Sequence, residues 1–188
     1  MARLVLRAAR LLDGRGPPPI LDAALVCEDG RIAYAGPAGG APKPVSGDEI
    51  VDVGAGTLIP GLIDCHVHLC FDGTADFAGE ARELNPASAA LKAAANARRA
   101  LEAGITTVRD LGGHALAMID VARAQRDGLI TGPRILTAPG VLTITGGHGH
   151  FIGFTADTAD ELVKGVRRLV AAGADWIKIM STGGVLTP

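Results

Sequence analysis

From residue 58 onward the chain repeats one grammar: a short apolar run, a glycine-rich loop, then a stretch whose apolar residues recur at helical spacing. This pattern places strands at about 58–69, 105–111, 134–142 and 174–180, and helices at about 86–103, 115–127 and 157–172. The helix ends carry signals of their own. Asn85-Pro86 is a cap followed by a first-turn proline, and Gly104, Gly128 and Gly173 stand where the three helices should stop. In the third helix Leu162, Val163, Val166, Leu169 and Val170 mark one face. Strands alternating with helices at this spacing build βαβ units on a parallel sheet.

Residues 1–57 read differently. The runs LVLRAARLLDG, AALVCEDGRIAYAG and EIVDVGAGTLI are short strands punctuated by Asp13-Gly14, Asp29-Gly30 and the Pro/Gly-rich stretch 36–47. Pro17-Pro18-Pro19 cannot donate to a ladder, so it belongs in a loop or on an edge. The expected organisation is a small β unit at 1–57 followed by an α/β body at 58–188. That body has about 130 residues for four βα units, against the ~250 of a closed eight-unit barrel. The sheet is therefore open, or it is half of a barrel. Because STGGVLTP follows the fourth strand with no helix to cover it, the expectation is an incomplete chain.

Composition narrows the partners. With 48% hydrophobic residues, 20% charged residues and a formal net charge of −2, the chain is an ordered globular body without a basic footprint for phosphate backbones. It has no apolar run of the roughly 18 residues a bilayer span needs. Neither nucleic acid nor membrane is an expected partner. In the start MARLVLRAARLLDG, Arg7 and Arg10 interrupt the apolar stretch before it reaches the length of a secretory signal, so a cytoplasmic location is expected. Cys27, Cys65 and Cys70 are an odd count without CxxC spacing, which speaks against a disulfide framework and a structural zinc knuckle.

The chemistry concentrates in two strands. In Pro60-Gly61-Leu62-Ile63-Asp64-Cys65-His66-Val67-His68, alternation turns Asp64, His66 and His68 to one face, at the strand end where α/β proteins place their sites. Two imidazoles side by side suit a divalent metal; two ordinary hydrogen-bonded histidines are the plainer reading. In Ala174-Asp175-Trp176-Ile177-Lys178-Ile179-Met180, alternation turns Trp176, Lys178 and Met180 toward the interior. A lysine between isoleucines needs a reason, because burial disfavours the ammonium. A carboxylate partner is one reason. The other is a neutral amine that takes up carbon dioxide, forming a carbamate able to bridge two metal ions. Arg109 and Asp110 are expected to form an ion pair at a strand end, Cys65 to pack, and His114 to pack or face solvent. The loop Gly146-Gly147-His148-Gly149-His150 fails as a dinucleotide fingerprint, since Ile152 stands where the third glycine is required.

Three segments taken together are similar to the amidohydrolase superfamily: Thr57–Asp64 with His66 and His68, Gly104–Asp110, and Asp175–Ile179 with Gly183-Gly184. The GGHGH loop and the WIKI strand most resemble the imidazolonepropionase-like branch, which includes metal-dependent Xaa-Pro dipeptidases. The resemblance implies the N-terminal half of a (β/α)8 TIM-like barrel preceded by part of a small β-sandwich. It implies that His66 and His68 hold the more buried of two divalent ions, zinc above others, and that a carbamate on Lys178 bridges both. It also implies a general-base aspartate and two further histidine ligands beyond residue 188, in a complementing C-terminal half. His148 and His150 would then face the metals and bind substrate. The implied activity is hydrolysis of a C–N bond, amide or peptide, in a small amino-acid-like substrate such as a dipeptide, by metal-activated hydroxide. A mononuclear deaminase, which has no need of Lys178, is the alternative within enzymes. A non-catalytic half-barrel that binds a partner or forms a homo-oligomer is the alternative outside them.

Overall fold

A computed structural model describes residues 3–16, 18–114 and 116–184. Pro17 and the last four residues of STGGVLTP lie outside the described residues. The chain divides into two compact units, Met1–Pro60 and Gly61–Pro188.

The first unit is one five-stranded sheet of β1 (Leu4–Leu11), β2 (Ile20–Glu28), β3 (Arg31–Pro37), β4 (Glu49–Asp52) and β5 (Thr57–Leu58). β1, β2 and β3 form an antiparallel meander, and β4 and β5 both pair parallel with β1. The β2–β3 turn is Asp29-Gly30, both at positive φ (50° and 73°), the conformation in which a two-residue turn matches strand twist. Val5, Ala8 and Leu11 of β1 and Ala23, Ala24 and Val26 of β2 are its buried residues. Arg3 ties the entry to β4: its guanidinium reaches Asp48 Oδ2 at 2.6 Å, and the same oxygen accepts from Val45 N at 2.8 Å. The guanidinium, above other contacts, holds the Asp48 carboxyl below the ordinary carboxylate range.

The second unit runs β6 (Leu62–Val67), α1 (Phe77–Glu83), α2 (Pro86–Glu102), β7 (Ile105–Asp110), α3 (Ala117–Arg126), β8 (Arg134–Thr137), β9 (Val141–Thr143), β10 (Gly153–Thr155), α4 (Ala159–Ala172) and β11 (Lys178–Ile179). Its strands form two parallel sheets, ordered β6-β7-β8 and β10-β9-β11. Asn85 and Gly173 act as the sequence leads one to expect, and Thr158 with Glu161 adds a further cap. Asn85 accepts from Ala87 N and Ser88 N at 3.0 Å each, Thr158 and Glu161 cap α4 reciprocally, and Gly173 leaves α4 in the left-handed region at φ 103°. Ala89, Ala93 and Ala97 form a fully buried stripe on α2 that, with Met118, Val121 and Ala122 of α3, covers Val108 and Ile135. Small residues there let the helix approach the sheet closely.

Several expectations need correction. The strand expected at 134–142 is two, β8 and β9, in different sheets, because Ala138-Pro139-Gly140 breaks the ladder. The strand expected at 174–180 is regular only over Lys178–Ile179. Along it Trp176 is about half exposed, Lys178 is half-buried and Met180 packs against the core. α1 lies in a stretch with no sustained periodicity. On α4 only Leu169 is buried, and Val163 and Val170 are exposed. No helix among the described residues is long and apolar enough to cross a membrane.

Candidate metal centre

β6 delivers its two histidines where its pairing with β7 becomes irregular: the register shifts between Asp64 and Val67, and His68 stands one residue past the strand. Asp64 Oδ1 accepts from His66 N at 3.0 Å, which fixes the backbone that carries the first ring. The two imidazoles lie edge to face with centroids 5.6 Å apart. His68 Nδ1 is 2.6 Å from the carbonyl oxygen of Gly112. A carbonyl can only accept, so Nδ1 carries the proton and Nε2 keeps its lone pair. Burial, chiefly, lowers the His68 pKa; the positive charges of His66 and Lys178 add to it, against the Gly112 hydrogen bond. The shift favours the neutral ring, the form in which an imidazole ligates metal.

Of the influences on the His68 ring, the charge of Lys178 is the smallest. Lys178 is half-buried on β11, and among the described residues it makes no ion pair, so the carboxylate partner that was one of its two explanations is absent from them. The donor chemistry fits a divalent cation in part. One imidazole is set in the ligating tautomer, a second lies beside it, and an amine stands within electrostatic reach. No group of three or more His, Cys, Asp or Glu among the described residues completes a ligand shell.

The surroundings of His68 are rigid. Asp110, fully buried, accepts from Leu69 N at 2.8 Å and from Gly112 N at 3.2 Å, so one carboxyl shapes the turn after His68 and the turn whose carbonyl holds its ring. Burial raises its pKa to about 7 against the pull of those two N–H groups. Asp110 is therefore no partner of Arg109, whose Nε donates instead to the Cys65 carbonyl at 2.9 Å. The ion pair expected from adjacency fails because neighbours along a strand point to opposite faces. From α2, Asn96 Nδ2 donates to the carbonyls of Leu69 and Phe71 at 2.9 and 3.0 Å, while Lys92 bridges Asp72 and Glu80. Phe71 and Phe77 pack edge-on to the His68 ring at 6.2 and 6.0 Å. None of these supports was expected from sequence. An aspartate closing a strand before Gly112-Gly113 was the one legible hint, since free N–H groups follow it.

The GGHGH loop splits its two histidines. His150 is exposed, holds its own loop through Nδ1 and the Gly147 carbonyl at 3.0 Å, and packs on Phe151, which in turn meets Phe77. A run of ring contacts thus links it through Phe151 and Phe77 to His68. His148 lies against the segment that leaves β11: a Cβ at Gly184 would come within 2.6 Å of its Nδ1. Cys65 is exposed rather than packed. Cys70 is buried and its thiol is pushed up to about 12, which rules out a nucleophilic role at neutral pH. His114 is partly buried, with Nδ1 unpartnered among the described residues.

Comparison with known proteins gives the family. Residues 57–188 match the amidohydrolase family. The chain is 30% identical to the ochratoxinase of Aspergillus niger, over 97% of this chain and 43% of that protein. It is 32% identical to the imidazolonepropionase of Micrococcus luteus, over 88% of this chain and 45% of that protein. Among solved structures, a prolidase complexed with N-methylphosphonate-L-proline superposes with a TM-score of 0.84 at 29% identity, covering 100% of this chain and 48% of the prolidase. The chain spans under half the length of these relatives.

Proposed function

Since this chain belongs to the amidohydrolase family, we propose that it contributes the first metal ligands of a hydrolase that cleaves the amide or peptide bond of a small N-acyl amino acid or dipeptide. The supporting observation is the His68 ring, held through Nδ1 by the Gly112 carbonyl so that Nε2 is left to ligate, with the His66 ring 5.6 Å away. In this reading residues 58–188 are the first half of a (β/α)8 barrel, residues 1–57 are part of a β-sandwich, and the remaining ligands and the general base come from sequence outside these residues.

His66 and His68 would hold a divalent ion, zinc above others, through imidazole nitrogens, and such an ion would supply Lewis acidity toward a carbonyl and a water molecule. The Gly112 carbonyl keeps the His68 ring from turning. Lys178 as an ammonium would oppose a cation beside it. Uptake of carbon dioxide by the neutral amine forms an N–C bond, releases a proton and turns that positive charge into a carboxylate-like negative one, fit to bridge two ions. Asp110 is committed to Leu69 and Gly112 and is not the base. His148 and His150 are the substrate-binding groups of the loop. The closeness of Lys178 to His68 favours this reading over a mononuclear deaminase. Hydrolysis of a panel of N-acyl amino acids and dipeptides by the full-length protein is the test. Turnover that disappears with a chelator and returns with zinc is expected; turnover indifferent to chelation would contradict it.

A further inference from the structure

The histidines and Lys178 sit on different sheets. Among the described residues no ladder joins β6-β7-β8 to β10-β9-β11. Besides a shared apolar core that includes Val108, Val141 and Ile152, hydrogen bonds cross the seam: Asp175 N and Trp176 N donate to the Thr137 carbonyl at 2.9 and 3.1 Å, and Thr137 N donates to Asp175 Oδ2 at 2.9 Å. A cationic side chain also crosses it from the histidine side. Val108 and Ile135 face the helices, so alternation puts Arg109 on the opposite face of its sheet. There its Nε holds the Cys65 carbonyl, in the irregular stretch immediately before His66. Its guanidinium carbon lies 5.1 Å from the centroid of the Trp176 ring, two residues before Lys178. Among the described residues Arg109 makes no ion pair, so these two contacts are what its charge and planar head are used for.

We propose that Arg109 is a positioning residue: by gripping Cys65 and Trp176 at once it sets the distance between the histidine pair and Lys178, and so the geometry of a shared metal centre. The proposal rests on the metal-centre reading above. Ligands must be held to within roughly half an ångström for tight coordination, and outer-shell contacts are what hold them. Lysine cannot replace this arginine fully, because a point charge has no flat face to lay on an indole.

Cobalt(II) titration of the full-length protein, read by visible absorption, tests this when combined with circular dichroism and melting of the metal-free samples. Wild type should bind cobalt. Arg109→Ala and Trp176→Leu should each weaken binding by about 10- to 100-fold with unchanged dichroism and metal-free melting. Arg109→Lys should recover part of the loss, and the double variant should be no worse than the weaker single one, because both remove the same grip. Should Arg109→Ala fail to fold, Trp176→Leu at its half-exposed position decides. Cobalt affinity equal to wild type in the single variants, or a loss that only follows a fall in metal-free melting, would overturn the positioning role while leaving the metal centre intact. A wild-type protein that binds no cobalt would overturn the metal centre itself, and the clamp with it.

Discussion

Lys178→Ala is expected to lower turnover by about 10³-fold or more, with partial recovery when a small carboxylate such as formate or acetate is added. The reasoning is electrostatic. Lys178 lies close enough to His68 for its charge to oppose protonation of that ring, and any charge that opposes a proton opposes a metal ion at the same nitrogen. An unmodified ammonium there would weaken the centre it belongs to. Carbamate formation reverses the sign, and alanine removes both the charge and the bridge. A diffusible carboxylate can restore the bridge but not its tether, so recovery should be incomplete. Lys178→Gln, which leaves no room for an added carboxylate, should not recover. Turnover unchanged in Lys178→Ala would reject the carbamate.

Asp110→Ala is expected to be the most destabilising single substitution in the second unit. It leaves two buried N–H groups, of Leu69 and Gly112, without acceptors, at about 1–3 kcal/mol each, and opens a small void besides. Metal affinity should fall too, because Gly112 carries the carbonyl that orients His68. The pH dependence has a definite sign. Burial raises the folded pKa of Asp110 from 3.8 to about 7, so between those values the folded protein keeps a proton that the unfolded chain has released. The contribution of this group to stability is therefore fully present below about pH 4 and is lost as pH rises toward 7. Denaturant melts of the metal-free protein across that window should show the decline, on the order of 4 kcal/mol if the full shift is expressed. Asp110→Asn, which keeps an acceptor and cannot ionise, should flatten it and cost less than alanine. An unaltered pH profile in Asp110→Asn would show that the carboxyl does not titrate there.

What could be read from sequence, and what could not, follows the range of the forces involved. The helix boundaries were legible because capping is local: Asn85 and Gly173 act on N–H and carbonyl groups within four residues. His66 and His68 were legible because strand alternation puts them side by side whatever packs around them. The break at Ala138-Pro139-Gly140 was hidden inside an apolar run, where burial on either side looks alike. α1 was hidden for the opposite reason, being seven residues long and held mainly by Phe77 against Phe71 and Phe151 and by the Glu80–Lys92 pair. Asp110 and Arg109 show the same limit at the site. Adjacency suggested that they pair with each other, but apart from Gly112, two residues on from Asp110, their partners Leu69, Cys65 and Trp176 are about 40 residues or more away in sequence. The residues that offer nitrogen to a metal are therefore visible in one dimension, whereas the groups that aim them emerge only in three.

The central claim is that His66, His68 and Lys178 form one centre for divalent metal. Native mass spectrometry of the full-length protein, measuring bound metal and any carbon dioxide adduct together, tests it most directly. The account predicts two divalent ions and one carbon dioxide adduct in the wild type, loss of metal in the His66→Ala/His68→Ala variant, and loss of the adduct in Lys178→Ala. A metal-free wild type, or metal retained unchanged when both histidines are replaced, would contradict it.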